Sequence, residues 1–132
     1  MTTDPRLQRW LDHMEGDRSV DTLRPQLASN ATFHSPVVHT PQEGIDLTLG
    51  YLSAADTVFG DASFEYVRMI VDGDNAMLEF TAELDGIHVN GIDIIHWNSD
   101  GLIDDFKVMV RPLKAINMLW KMMAAQLEEQ AG

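Results

Sequence analysis

Residues 89–95 read Val89-Asn90-Gly91-Ile92-Asp93-Ile94-Ile95, an apolar stretch typical of a β-strand, with one carboxylate in its centre. Aspartate is disfavoured inside strands and costs free energy when it is buried without a partner. The face of the sheet on which Asp93 lies therefore bears on both the fold and the function.

Tight turns on either side of this strand predict its register. Asp85-Gly86 and Asp100-Gly101 are both typical of two-residue hairpin loops. Directly paired residues share a face. The second loop would pair Trp97 with Asp104, and a slip of one residue would move Asp93 to the other face. Together the loops group Asp93 with eight apolar residues: Leu78, Phe80, Ala82, Val89, Ile95, Phe106, Val108 and Val110.

Composition predicts one domain over residues 1–132, because 132 residues with 45% apolar content suit a single core. The formal net charge of −12 disfavours nucleic acid and membrane surfaces as partners. No apolar run is long enough to span a membrane. The N-terminus lacks a signal-peptide pattern and the chain has no cysteine, so a cytoplasmic location is the default expectation.

The first third of the chain has helical and strand patterns in turn. Asp4-Pro5 is typical of a helix start, and apolar spacing extends this helix to Gly16. Val20, Leu23 and Leu27 suggest a second, short helix that is interrupted near Pro25. Residues 31–34 resemble a short strand, and the two prolines in 35–44 indicate a loop.

The remainder of the chain predicts a third helix over 45–59, a four-stranded antiparallel meander over 62–110 and a closing helix from Pro112. This order predicts an α+β fold, with helices packed on the concave face of a curved antiparallel sheet. The opposite, outer face would carry Met77, Ile92, Ile94 and Met109. Such a patch is unusual on a monomer in water and predicts a homodimer through that face.

The chain resembles the nuclear transport factor 2-like superfamily, in its SnoaL-like branch. The resemblance implies a conical half-barrel around a mostly apolar pocket, and a homodimer through the sheet. The matching segments are Ala31–Pro36, Gly44–Asp46, Gly91–Ile103 and Val108–Leu113.

A comparison with two branches of that superfamily limits the expected activity. Asp93 falls where the ketosteroid isomerase branch keeps a protonated acid that donates to an oxyanion. That branch's general-base carboxylate would fall near His34-Ser35, and its tyrosine near Arg9-Trp10, but this chain has neither. The epoxide-hydrolase branch needs an arginine and two aspartates in the pocket, and only Asp93 is predicted to face inward.

Two residues are candidate catalytic groups. Asp93 in an apolar pocket would have a raised pKa and could act as an acid, a base or a hydrogen-bond donor. The alternative is a structural aspartate bonded to a helix or loop. The resemblance places His34 across the cavity from Asp93, where it would act as a proton shuttle paired with that residue. The alternative for His34 is a loop histidine bonded to the backbone.

The wall of the pocket is predicted from apolar and aromatic residues, although such residues more often form core. No residue pattern indicates a metal site, and no cofactor is expected. The predicted ligand-binding residues are Trp10, Met14, Tyr51, Phe59, Leu78, Phe80, Val89, Ile95, Phe106, Val108 and Val110.

The sequence thus predicts a protein with a pocket for a small apolar molecule. One interpretation is a cofactor-independent isomerase, cyclase or dehydratase that transfers protons on a compact substrate with a carbonyl or hydroxyl group. The alternative is a ligand-binding or structural member without catalysis. The apparent lack of a second inward carboxylate favours the alternative.

Overall fold

The computed structural model describes residues 3–60 and 63–131. These residues form four α-helices, a short 3-10 helix over Arg24–Gln26, and one sheet of six strands. The helices are α1 (Pro5–Glu15), α2 (Val20–Leu23), α3 (Ile45–Phe59) and α4 (Leu113–Ala131). The strands are β1 (Leu27–His34), β2 (Gln42–Glu43), β3 (Glu65–Asp72), β4 (Asn75–Leu84), β5 (Ile87–Trp97) and β6 (Ile103–Arg111).

The sheet has the strand order β2-β1-β6-β5-β4-β3. Strands β3 to β6 form the predicted antiparallel meander, whereas β1 runs parallel to β6. The predicted α+β class with a curved, open sheet is confirmed. Asp93 lies in the middle of the sheet, because β5 has a long neighbour on each side.

The hairpin between β4 and β5 has the predicted register. Asp85 and Gly86 both have positive φ, 51° and 82°, as a two-residue loop of the mirror-image type requires. Leu84 pairs with Ile87, and the ladder continues without a break until Leu78 pairs with Asp93. This turn alone places Asp93 on the same face as the apolar residues of β4.

The hairpin between β5 and β6 departs from the prediction at its tip. Asp93 pairs with Val108 as expected, but Trp97 pairs with Ile103 rather than with Asp104. The loop is longer than two residues because the side-chain oxygen of Asn98 accepts hydrogen bonds from the backbone N–H groups of Asp100 and Leu102. A bulge then restores the predicted register before Ile95.

Two predictions in the first third of the chain are wrong. Leu27 begins β1 instead of ending the second helix, because α2 passes into the 3-10 turn that contains Pro25. Residues 42–43, predicted as loop, pair with Thr32 and Phe33 as the edge strand β2. The predicted start of α1 is confirmed, since the Asp4 side chain accepts a hydrogen bond from the backbone N–H of Arg6 at 2.9 Å.

The core lies between the helices and one face of the sheet. Leu78, Ile95 and Phe106 are at most 1% exposed on that face. Trp10 of α1 packs into the same cluster as these residues, while Leu119 of α4 packs with the buried residues at the other end of the sheet. The helices therefore cover the face that carries Asp93.

Among the helices formed by the described residues, none is both long and apolar enough to cross a membrane. The cytoplasmic location expected from the sequence stays a prediction.

Gly91 tests the packing of this covered face. A Cβ atom at Gly91 would overlap the ring of Phe80 and lie 2.9 Å from the carbonyl oxygen of Met109. We expect Gly91→Ala to lower the free energy of unfolding by about 2 kcal/mol, because the buried Phe80 ring must move. Urea unfolding measures the change.

Gly50→Ala, inside α3, is the matched control. A Cβ atom at Gly50 meets only Gln130 Oε1, at an ordinary contact distance of 3.7 Å. The substitution should raise stability by about 0.5 kcal/mol. Equal effects of the two substitutions would contradict the close contact between Gly91 and Phe80.

Candidate active site

A cavity opens between the covered face of the sheet and helices α1, α3 and α4. It holds about 750 Å³ of space free of protein atoms, part of it open to solvent. Its wall is mostly aromatic and aliphatic, and the charged residues that line it within the described part of the chain are Arg18, Asp56 and Asp93.

Asp93 is buried on this wall, with 7% of its surface exposed, as the hairpin register predicts. Burial raises the pKa of Asp93 to about 7 from an ordinary value of 3.8. A hydrogen bond from Tyr66 lowers this pKa, and the nearby charge of Asp56 raises it, but burial has the largest effect. Asp93 is therefore protonated in an appreciable fraction of molecules at neutral pH.

Tyr66 supports Asp93 and was not predicted. Its hydroxyl donates to Asp93 Oδ2 at 2.7 Å, and it accepts a hydrogen bond from Trp10 Nε1 at 3.0 Å. Burial, followed by the charge of Asp93, raises the pKa of Tyr66 well above its ordinary value. Tyr66 thus keeps its proton and acts as a donor to Asp93. It is not among the residues that line the cavity, so it fixes Oδ2 from outside.

A β-bulge explains why sequence analysis missed Tyr66. The pairing of Asp72 with Asn75 would, if continued without a break, place Tyr66 opposite Thr81 on the outer face. Val67 is instead an extra residue in β3, and the register shift pairs Tyr66 with Phe80 on the covered face. We find no signal in the sequence for this bulge.

A second carboxylate, Asp56 of α3, also lines the cavity. The expectation that Asp93 is the one inward carboxylate is therefore wrong. His13 Nε2 lies 2.9 Å from Asp56 Oδ2, and His13 Nδ1 lies 2.7 Å from Thr22 Oγ1. His13 is 2% exposed, so its ring is shielded from water.

The spacing of α3 contained a signal for Asp56. Asp56 lies four residues after Leu52 and three before Phe59, which places it on the buried stripe of that helix. His13 follows the buried Trp10 at the same kind of spacing on α1. Both residues could have been found by asking which polar residues interrupt an apolar stripe.

The prediction that His34 and Asp93 line one cavity is wrong. Phe33 pairs with Phe106 on the covered face, so His34 points to the other side of the sheet. There its Nε2 lies 2.8 Å from Asp105 Oδ1. The error arises because β1 continues the sheet beside β6, and its last residue follows the alternation of the strand.

The predicted ligand-binding residues fall into two groups. The first group lines the cavity and consists of Trp10, Met14, Tyr51, Phe59, Phe80, Phe106 and Val108. The second group does not line it, because Leu78, Val89 and Ile95 are fully buried in the core and Val110 lies further along β6. No three histidine, aspartate or glutamate side chains of residues 3–60 and 63–131 are grouped to hold a metal.

Comparison with known proteins identifies the family. Residues 7–106 match the model of the SnoaL-like domain. The chain belongs to the SnoaL-like family. A search of curated proteins finds no match.

Solved structures are similar to this chain over most of its length. A steroid delta-isomerase from Pseudomonas aeruginosa is 33% identical, with a TM-score of 0.89 over 96% of this chain and 91% of that one. A protein with a cystatin-like fold from Silicibacter pomeroyi is 28% identical, with a TM-score of 0.84 over 94% and 86% of the two chains. A de novo designed protein with a curved β-sheet shares the fold alone, at 14% identity and a TM-score of 0.71 over 92% and 99%.

The raised pKa of Asp93 predicts a dependence of stability on pH. A carboxyl whose pKa is higher in the folded than in the unfolded state stabilises the fold below about pH 4. That contribution is lost as pH rises through about 7. We expect Asp93→Asn to remove this loss, which corresponds to about 4 kcal/mol between the two ends of the range.

Urea unfolding of wild type and Asp93→Asn from pH 4 to pH 8 measures this difference. Asp100→Asn, a change of the same kind at an exposed turn, should leave the wild-type dependence intact. A constant difference between wild type and Asp93→Asn across the range would show that Asp93 titrates normally.

Proposed function

We propose that this SnoaL-like protein is a cofactor-independent isomerase that moves a proton on a compact, largely apolar carbonyl compound. The observation that supports this most directly is the presence of two acidic groups in different surroundings on one apolar cavity wall. Environments that separate two carboxyl groups assign them different roles in acid–base catalysis. The steroid delta-isomerase at 33% identity supports the same class of reaction.

Asp56 is the proposed general base. His13 holds its Oδ2. Its other oxygen, Oδ1, has no hydrogen-bond partner among the described residues and would meet a C–H bond next to the substrate carbonyl. His13 is a positioning residue, itself anchored by the hydroxyl of Thr22. Asp56 removes the proton, and the electron pair of the C–H bond moves towards the carbonyl oxygen to form an enolate.

Asp93 is the proposed donor to that developing oxyanion. Because the Tyr66 hydroxyl occupies Oδ2, the carboxylic proton belongs on Oδ1, from where it can reach a ligand in the cavity. The hydrogen bond strengthens as charge builds on the substrate oxygen. Asp56 then returns the proton to a different carbon, so that the double bond moves and no atom is gained or lost.

Isomerisation of a β,γ-unsaturated cyclic ketone to its conjugated isomer, followed by ultraviolet absorbance, tests this mechanism. We expect Asp56→Asn to lower kcat by about 100-fold or more, because the amide cannot accept the proton. Asp93→Asn should lower it less, because its amide still donates a hydrogen bond. The wild-type rate should fall as pH rises through about 7, and Asp93→Asn should lose that fall.

Asp100→Asn serves as the control, and its rate should equal that of wild type. The proposed catalysis is contradicted if the wild-type protein does not isomerise the ketone and does not exchange the ketone's α-hydrogens with deuterated water. The cavity would then belong to a binding protein, which is the alternative function that the sequence left open.

We also propose that two copies pair through the outer face of the sheet. Met77 and Met109 are 42% and 52% exposed there, and the ladders place Ile94 beside Met77 and Ile92 beside Met109. A contiguous apolar patch of this kind favours association between like surfaces. The buried patch must outweigh the repulsion between two chains of charge −12.

Ile94→Asp should convert the dimer to monomers, because it places an unpaired charge in the centre of the interface. Sedimentation at micromolar concentration measures the mass. Leu47→Asp, at an exposed apolar residue on α3, should leave the dimer intact. A wild-type monomer under these conditions would contradict the pairing.

A further inference from the structure

The cavity contains one feature that proton transfer does not use, the side chain of Arg18. Arg18 lies in the connection between α1 and α2 and lines the same cavity as Asp56 and Asp93. In the described part of the chain, the ion pairs of arginines involve Arg6, Arg24 and Arg68 instead. Within the described part of the chain, the guanidinium of Arg18 therefore has no carboxylate partner.

Contacts other than ion pairs hold this guanidinium in place. Its Nε donates to the carbonyl oxygen of Met14 at 2.9 Å. Its central carbon lies 5.3 Å from the centre of the Phe64 ring, within range of a cation–π contact. The group is thus oriented before any ligand arrives, which lowers the entropy lost on binding.

Two properties of Arg18 cost the folded protein free energy. Its Nη1 is buried and has no hydrogen-bond partner among the described residues. A buried donor that is left unpaired costs more than the same donor in water. Its backbone φ is +54°, in the left-handed region that non-glycine residues rarely adopt. Such costs in one residue on a cavity wall indicate a function there.

A carboxylate is the chemical group that best matches this arrangement. Guanidinium groups bind planar carboxylates through charge-assisted hydrogen bonds. A doubly charged phosphate would need several cations, whereas Arg18 is the single cation on the described wall, which also carries two acids. A monoanion leaves the electrostatics of Asp56 and Asp93 least disturbed.

We propose that Arg18 binds the carboxylate of a compact apolar carboxylic acid whose hydrocarbon part fills the cavity. This inference rests on the proposed function, because it takes from it that the bound molecule also presents a carbonyl group to Asp93. The substrate is then an unsaturated oxo-acid with its charge at Arg18 and its reacting carbons between Asp56 and Asp93. Arg18 determines which ketones are bound and takes no part in moving the proton.

Binding of two probes of matched shape tests the role of Arg18 without any requirement for turnover. The probes are 4-phenylbutanoate and its neutral analogue 4-phenylbutanamide, titrated calorimetrically at pH 6, below the pKa of Asp93. Wild type should bind the carboxylate at least tenfold more tightly than the amide. Arg18→Gln should bind the two probes equally, and Arg18→Lys should keep part of the preference.

Arg68→Gln is the matched control, because it removes the same charge from an arginine that is 72% exposed. It should keep the wild-type preference. In wild type, the Nε–H resonance of Arg18 should move on adding the carboxylate and stay in place on adding the amide. This NMR measurement does not depend on how well the variants fold.

Three results would overturn the proposal: no binding of 4-phenylbutanoate at millimolar concentration, equal binding of both probes by wild type, or an unchanged preference in Arg18→Gln. Failure of the isomerase mechanism would appear separately. In that case the carboxylate would bind through Arg18, while no ketone would isomerise or exchange its α-hydrogens.

Discussion

The hydrogen bond from Tyr66 to Asp93 is the interaction on which the site depends. A carboxyl group in the middle of an apolar sheet face loses the hydration that would stabilise its charge. Tyr66 satisfies one oxygen of the group, and Trp10 satisfies the tyrosine in turn. Tyr66 lies on β3, which extends the sheet, and Trp10 lies on α1, which covers it. The site therefore exists only when β3 and α1 are in place.

The cavity separates its two acids by their surroundings. Asp93 projects from the sheet into an apolar region and is supported by a neutral hydroxyl, which leaves its pKa high. Asp56 projects from α3 and is bonded to the ring of His13. The charge of Asp56 also raises the pKa of Asp93 and so favours the protonated form of Asp93. This coupling suits a reaction that needs an acceptor and a donor together.

Groups that weaken the fold are concentrated around this cavity. They include the buried acid, the unpaired nitrogen of Arg18 and the left-handed backbone at the same residue. The core compensates through close packing, seen where Gly91 leaves room for the ring of Phe80. Such a distribution is expected when local stability is given up at a functional site and recovered elsewhere.

Local rules predicted the four strands of the meander and the face on which Asp93 lies. The Asp85-Gly86 turn chemistry and the two-residue period of strands together determined that Asp93 lies under the helices, because both act over a few residues. The spacing of apolar residues also predicted α3, and it contained the signal for Asp56 that went unused. The four-stranded meander followed from three turns in the same way.

Only the tertiary structure decided the partners of these residues. The extra residue Val67 turned Tyr66 towards Asp93, and the approach of α1 to α3 brought His13 to Asp56 from 43 positions away in sequence. The parallel pairing of β1 with β6 sent His34 to the outer face. Bulges and contacts between distant elements depend on how the helices pack on the sheet. The packing energy is spread over many residues, so no short segment of sequence encodes these features.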